Sequence, residues 1–207
     1  MIIKVCGMRE PDNIRAVEAL RPDWMGFIFW PGSRRCVTTP PAYLPQPPLK
    51  RVGVFVQPSL EEVVQRVREW KLDLVQLHGS ESADWCRELK AATCKPIIKA
   101  FSIATSADLL PTVGYADLAD YFLFDTRTPL MGGSGRQFDW NILDAYDGST
   151  PFLLSGGIGP DDASRIAAYS HPRCIGFDLN SRFETAPAIK DAEALGAFIR
   201  QLVTCQK

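Results

Sequence analysis

Phe152-Leu153-Leu154-Ser155-Gly156-Gly157-Ile158-Gly159-Pro160-Asp161-Asp162 compresses one structural unit into eleven residues. Three apolar residues read as a buried strand. The glycines after Ser155 read as a loop whose bare backbone N–H groups can face a ligand. Gly159-Pro160 with two acids reads as a helix start, with proline near the first helical position and carboxylates at the positive end of the helix dipole. The same plan recurs along the whole chain. Apolar runs at 2–5, 25–29, 51–56, 74–77, 96–101, 121–124, 152–154 and 174–177 each stop at or beside a residue suited to chemistry or ligand contact. In order these are Cys6, Pro31-Gly32-Ser33-Arg34-Arg35, Gln57, His78-Gly79, Ser102, Asp125, Ser155-Gly156-Gly157 and Asp178.

Strand ends recur every 22 to 30 residues, about one β-α unit each. The runs are mostly continuous rather than alternating, as in parallel strands covered by helices outside and packed within. Eight units exceed the roughly five or six strands usual in an open doubly wound sheet. The expected architecture is therefore α/β, a single-domain (β/α)8 TIM barrel spanning 1–207 with parallel strands. Such a barrel places all eight polar ends on one rim, where these folds keep their active sites.

Helix signals fill the gaps. Pro11 suits the first position of a helix over 11–20, and Ser59-Leu60-Glu61-Glu62 reads as a capping box before an apolar face of Leu60, Val63, Val67 and Trp70. Helices follow over 81–92, over 106–118 with a break at Pro111, and from Gly159 to Tyr169. Ala192, Leu195, Ile199 and Leu202 form the inner stripe of the last helix. The second gap differs: five prolines within 36–48 predict a short or degenerate helix.

A formal charge of −1 and a pI near 6.1 give no electrostatic reason to expect nucleic acid or an anionic membrane as partner. The start, Met1-Ile2-Ile3-Lys4, enters a strand directly, without the basic and long apolar regions of a secretory signal. Six cysteines at 6, 36, 86, 94, 174 and 205 form no CxxC pair, which suits reduced thiols in a cytoplasmic enzyme. Only His78 and His171 are present, too few for a histidine-rich metal site.

Several rim residues invite chemistry, each with a plainer alternative. Cys6 can take or give a proton if its pKa falls modestly, or it is a small buried hydrophobe. Asp125 ends an apolar strand, where desolvation raises a carboxyl pKa and suits a general acid; alternatively it accepts structural hydrogen bonds. Gly132-Gly133-Ser134-Gly135 reads as a phosphate cradle, a lid or a plain flexible loop. Gly156-Gly157 and Asn180-Ser181-Arg182 follow strands seven and eight, the usual phosphate site of such barrels. Asp178 either holds a sugar hydroxyl or caps its loop. Among Ser33, Arg34 and Arg35, a guanidinium can grip a carboxylate with two parallel hydrogen bonds, or the loop is merely solvated.

The ordered set of motifs resembles the phosphoribosylanthranilate isomerase family. It comprises Lys4-Val5-Cys6-Gly7, Gly26-Phe27-Ile28-Phe29 with Pro31-Gly32-Ser33-Arg34-Arg35, Val52-Gly53-Val54-Phe55, Gln76-Leu77-His78-Gly79 and Phe124-Asp125. It continues through Gly132-Gly133-Ser134-Gly135, Phe138-Asp139-Trp140 and Leu154-Ser155-Gly156-Gly157 to Asp178 and Glu184. The resemblance implies an Amadori isomerisation of N-(5-phosphoribosyl)anthranilate to the 1-amino-1-deoxyribulose 5-phosphate in tryptophan biosynthesis. Asp125 is then the general acid and Cys6 the general base. Arg35 grips the anthranilate carboxylate, and His78 and Asp178 contact substrate. Gly156, Gly157 and Ser181 bind phosphate. No metal or organic cofactor is implied, because the imine is the electron sink, and the chain is expected as a monomer or homodimer. One motif departs: the family commonly has Asp-x-Ser-Ser-Gly where this chain reads Asp178-Leu179-Asn180-Ser181-Arg182. Arg182 either pairs with phosphate or points to solvent.

Other readings rest on the same barrel. A ribulose-phosphate epimerase would want metal-binding histidines and acids. An indole-glycerol-phosphate synthase would want catalytic lysines, which Lys4 and Lys99 match only in part. A non-catalytic phosphosugar-binding barrel would have no use for both Cys6 and Asp125.

Overall fold

The computed structural model describes residues 1–126 and 138–205. Eight parallel strands close into a barrel in chain order. They are β1 (Ile2–Cys6), β2 (Trp24–Ile28), β3 (Lys50–Phe55), β4 (Leu74–Leu77), β5 (Ile97–Ile103), β6 (Tyr121–Thr126), β7 (Phe152–Leu154) and β8 (Cys174–Leu179). The last strand pairs with the first, setting Lys4 opposite Asp178, while Cys6 stands opposite Gly26 on the other side. Helices α1 (Pro11–Glu18), α2 (Leu60–Glu69), α3 (Ala83–Thr93), α4 (Ala163–Ala168) and α5 (Ala192–Cys205) lie between the strands and after them.

The two-residue alternation of each strand sorts side chains into two layers. Cys6, Trp24, Val52, Val54, Leu74, Ile98, Ala100, Leu123 and Leu153 fill the lumen. Their neighbours, such as Val5, Met25, Phe27, Val75, Phe122 and Leu154, pack outward against Val17, Val63, Leu89, Ile166 and Leu195 of the helices. Strand β8 carries one extra residue: Phe152 pairs with Cys174, but Leu153 pairs with Gly176. Ile175 therefore packs toward the lumen while Phe177 packs outside it. The bulge reverses the alternation and aims Asp178 inward.

The proline-rich gap forms no helix at all. Between β2 and β3 the chain runs through turns, a bridge of Ile28 to Cys36, and a carbonyl of Pro45 that accepts from Arg51 Nε and Nη2 at 2.9 and 2.6 Å. Ser59 Oγ accepts from Glu62 N at 3.1 Å, one half of the expected box. Helix α3 begins later than the sequence predicts, capped by Ser82 Oγ on Trp85 N. Glu81 is drawn inward instead, accepting from Gln57 N at 2.8 Å and Lys99 Nζ at 3.1 Å. The segment containing Pro111 is a 3₁₀ helix over Ser106–Tyr115. A 3₁₀ turn, Pro160–Asp162, precedes the short α4, and in α5 the inner stripe runs through Leu195, Phe198 and Leu202, with Ile199 at its margin. An antiparallel hairpin, β9 (Glu184–Ala186) and β10 (Ile189–Lys190), follows β8. Among the described residues no helix is long and apolar enough to cross a membrane.

Candidate active site

Strand β1 delivers a thiol into the lumen. Cys6 is 3% exposed, and a Cβ on Gly26 would lie 2.7 Å from its sulfur, so glycine there makes room for the thiol. Two residues below it, on the same face, Lys4 is wholly buried and donates to Asp178 Oδ1 at 2.8 Å. The Lys4 ammonium also acts electrostatically on Cys6. Burial pushes the Cys6 thiol above its ordinary pKa, with Lys4 and Lys190 pulling against that rise. The modest lowering expected for a base is therefore not found. Burial alone would lower the Lys4 ammonium, but Asp178 and Cys6 outweigh it and the net direction is upward. Burial also raises Asp178, against the pull of Lys4.

Asp125 stands near the end of β6, its side chain 17% exposed. Its Oδ1 accepts from Thr126 N at 2.8 Å, and its Oδ2 lies 3.4 Å from His78 Nε2. Gln76 Nε2 donates to His78 Nδ1 at 3.2 Å, which leaves the proton of a neutral imidazole on Nε2, facing the carboxylate. Asp178 joins Lys4 beneath the thiol, and Ser155, beside it, precedes the Gly156 that packs on Asp125. The thiol and the carboxyl, from strands on different sides of the barrel, thus share one interior.

Beyond β7, Gly156 adopts φ +94°, and a Cβ there would fall 2.1 Å from Thr126 Oγ1 and 2.9 Å from Asp125 Oδ1. Glycine lets this loop press directly on the β6 terminus. Gly157 follows at φ +68°. Ser155 Oγ lies 3.5 Å from Asp178 Oδ2. Ser181 begins a 3₁₀ turn, Ser181–Phe183, and the exposed Arg182 lies across Gly159, its Nε 3.1 Å from the place of a Cβ there. The loops after β7 and β8 are thus neighbours.

Arg34 is exposed, whereas Arg35 turns inward and is not idle. Its Nε donates to Glu184 Oε1 and Oε2 at 2.8 and 3.0 Å, and its Nη2 to Oε2 at 2.5 Å. Lys190 Nζ, fully buried, donates to Glu184 Oε1 at 2.6 Å and Asn180 Oδ1 at 2.8 Å. The glycine-rich run 132–135 lies outside the described residues.

Cys6, Arg35, His78, Asp125, Gly156, Gly157, Asp178, Ser181 and Arg182 therefore all belong to the carboxyl-terminal end of the barrel. Sequence reasoning names Gln76 and Glu184 within motifs but gives them no role, and it omits Lys190 and the pairing of Lys4. A lysine two residues before Cys6 in an otherwise apolar run was the available signal, since that spacing shares one strand face. Nothing in the sequence pairs Glu184 with Arg35, 149 positions away.

Residues 3–201 match the family model for N-(5'phosphoribosyl)anthranilate (PRA) isomerase. The chain belongs to that family. A family relative from Phocaeicola vulgatus, N-(5'-phosphoribosyl)anthranilate isomerase, is 54% identical over 202 residues, covering 98% of each chain. The phosphoribosyl anthranilate isomerase of Thermus thermophilus superposes with a TM-score of 0.83 at 31% identity, over 99% of both chains. Another phosphoribosyl anthranilate isomerase, solved with reduced 1-(o-carboxyphenylamino)-1-deoxyribulose 5-phosphate, gives 0.79 at 25% identity, over 99% of this chain and 100% of that one.

Proposed function

We propose that Asp125 and Cys6 act as acid and base on one phosphosugar held across the barrel mouth. The activity is the isomerisation of N-(5'-phosphoribosyl)anthranilate in tryptophan biosynthesis, the family's reaction. Asp125 gives its proton to the furanose ring oxygen. The ring C1–O bond breaks, and the nitrogen lone pair forms an iminium at C1. The Cys6 thiolate then removes the proton from C2. The C–H electrons become the C1=C2 bond, and the iminium π pair returns to nitrogen. The resulting enolamine tautomerises to the ketone. The imine accepts the electrons, so this sequence routes none through a metal or organic cofactor.

Other roles follow from position. Lys4 stabilises the thiolate from below, in a lumen too dry for water to do so. His78 steadies the Asp125 carboxylate and, with Asp178, faces the sugar hydroxyls. Gly156, Gly157, Ser181 and Arg182 take the phosphate, and Arg35 takes the anthranilate carboxylate. The observation that carries this reading is the buried Lys4–Asp178 pair beneath Cys6, which Ser155 and Gly156 connect to Asp125 at the same end of the barrel.

An indole-glycerol-phosphate synthase would need free interior lysines. Lys4 is tied to Asp178, and Lys99 points out of the lumen onto Gly79 O at 2.6 Å and Glu81. A non-catalytic barrel would leave the acid–base pair without purpose. We take the whole chain as one barrel domain that acts in the cytoplasm. The chain is taken to act as a monomer or a homodimer. Loss of substrate fluorescence on mixing with purified protein, unchanged by EDTA, is the expected result. Substrate that persists would sink the assignment, and inhibition by EDTA would sink its metal independence.

A further inference from the structure

Arg35, Glu184 and Lys190 form a buried cluster whose arrangement bears on the carboxylate. A guanidinium offers two edges for bidentate contact, one through Nε and Nη2 and one through Nη1 and Nη2. Glu184 fills the first edge with three contacts of 2.5 to 3.0 Å. Nη1 makes no hydrogen bond or ion pair with the described residues, which leaves the second edge for a ligand. The Arg35 side chain is 14% exposed, against 5% for Glu184 and 0% for Lys190, so only the arginine reaches the mouth.

Glu184 cannot readily swing away. Its Oε1 accepts from Arg35 Nε, from Lys190 Nζ at 2.6 Å and from Ala188 N at 3.2 Å. Lys190 is held in turn across the hairpin, and its backbone is clamped by Asn13 of α1, with Lys190 N on Asn13 Oδ1 at 2.7 Å and Asn13 Nδ2 on Lys190 O at 2.8 Å. Burial raises a carboxyl pKa, yet Arg35 and Lys190 hold Glu184 below its usual value. Burial pulls Lys190 below its usual value, against Glu184, which favours the ammonium, and its Nζ donates to both Glu184 and Asn180.

The charge count then matters. Two cations and one carboxylate leave a single positive charge, matching one anionic group. Glu184 alone would cancel Arg35 and repel an arriving carboxylate; Lys190 removes that repulsion. The place is right as well, since a Cβ on Gly7 would meet Arg35 Cδ at 2.6 Å, so the arginine stem lies on the residue next to Cys6. The carboxylate ortho to the substrate nitrogen is only a few bonds from the C2 proton that Cys6 would take.

We infer that Glu184, neutralised by Lys190, is a positioning residue that locks one edge of Arg35 and presents the other to the substrate carboxylate, setting the preference for an anthranilate over an aniline. The inference rests on the reading of Arg35 as the carboxylate grip. Two probes separate them: reduced 1-(o-carboxyphenylamino)-1-deoxyribulose 5-phosphate and its phenylamino counterpart lacking the carboxyl group. Glu184→Gln weakens the carboxylated analogue by roughly tenfold or more, the scale of a charged hydrogen bond, and leaves the other unchanged. Lys190→Met, a second route should the first variant fold poorly, does the same. Equal weakening of both analogues, or an undiminished carboxylate preference, overturns the inference. Arg35→Ala distinguishes the failures. If it abolishes the preference while Glu184→Gln keeps it, the positioning role alone is lost. If Arg35→Ala itself keeps the preference, the grip reading falls and this inference with it.

Discussion

The two sides of the barrel mouth are built in opposite ways. On the β1 side, Cys6 is almost sealed from water and sits above a buried Lys4–Asp178 ion pair, with Arg35, Glu184 and Lys190 beside it. On the β6 side, Asp125 and His78 keep 17% and 24% of their side-chain surface, and among the described residues the partner of the Asp125 carboxyl is the His78 imidazole, with no lysine or arginine paired to it. A base that must be anionic in a dry lumen needs fixed cations to replace the solvent. An acid that must be neutral before it reacts needs none, and a polarised imidazole suffices to hold it. The contrast shows where charge was put into this interior and why: buried ion pairs stabilise a fold weakly at best, so a function is the better reason for them.

The most severe break of that contrast removes either reacting group. Cys6→Ser and Asp125→Asn should each lower kcat by roughly 10² or more with the fold intact, the scale of general acid–base catalysis. Steady-state turnover checks this alongside circular dichroism, and a near wild-type rate in either variant would end its assigned role. Removing the cation beneath the thiol comes next. Because burial lifts the Cys6 pKa and the thiolate is the reactive form, the reactivity of Cys6 should rise with pH through neutrality toward the ordinary thiol value of 9.0 and beyond. Lys4→Met takes away the charge that lowers this pKa, so the rise should move to still higher pH, with a loss on the order of tenfold at neutrality. Cys6 alkylation rates against pH report the same shift, and an unmoved profile would show that Lys4 serves only packing.

Smaller effects sharpen the contrast at its edges. Arg35→Ala should raise KM by about tenfold, as expected for losing a charged hydrogen bond, with kcat less affected. Unchanged KM would count against the carboxylate grip. Arg182→Gly restores the residue common in the family and should change KM more than kcat, by a few-fold for a partly hydrated ion pair at the loop surface. If neither constant moves, the guanidinium does not touch phosphate.

Much of this was readable in the residues. Eight apolar runs at regular spacing dictate a closed parallel barrel, because that pattern needs helices outside and packed side chains within. The same rhythm places Cys6, Asp125 and Gly156-Gly157 at one end, since a strand's polar terminus marks the rim. The helices were less legible. Prolines at 40, 41, 45, 47 and 48 signalled trouble after β2 but not that the helix would vanish. Glu81 looked like a helix start because its acid suits a first turn, yet Lys99 and two backbone amides claimed it.

What the chain by itself determined is the repeat and the roster of rim residues, since both depend on local pattern and strand periodicity. Tertiary structure alone decided the partners. The ammonium of Lys4 finds Asp178 only because β8 closes onto β1 and because one extra residue in β8 reverses its alternation. Arg35 meets Glu184 only because a hairpin after the last strand folds back over the first. Ion pairs across 174 and 149 positions leave no local trace, because their energy comes from burial and closure that exist only once the barrel has formed.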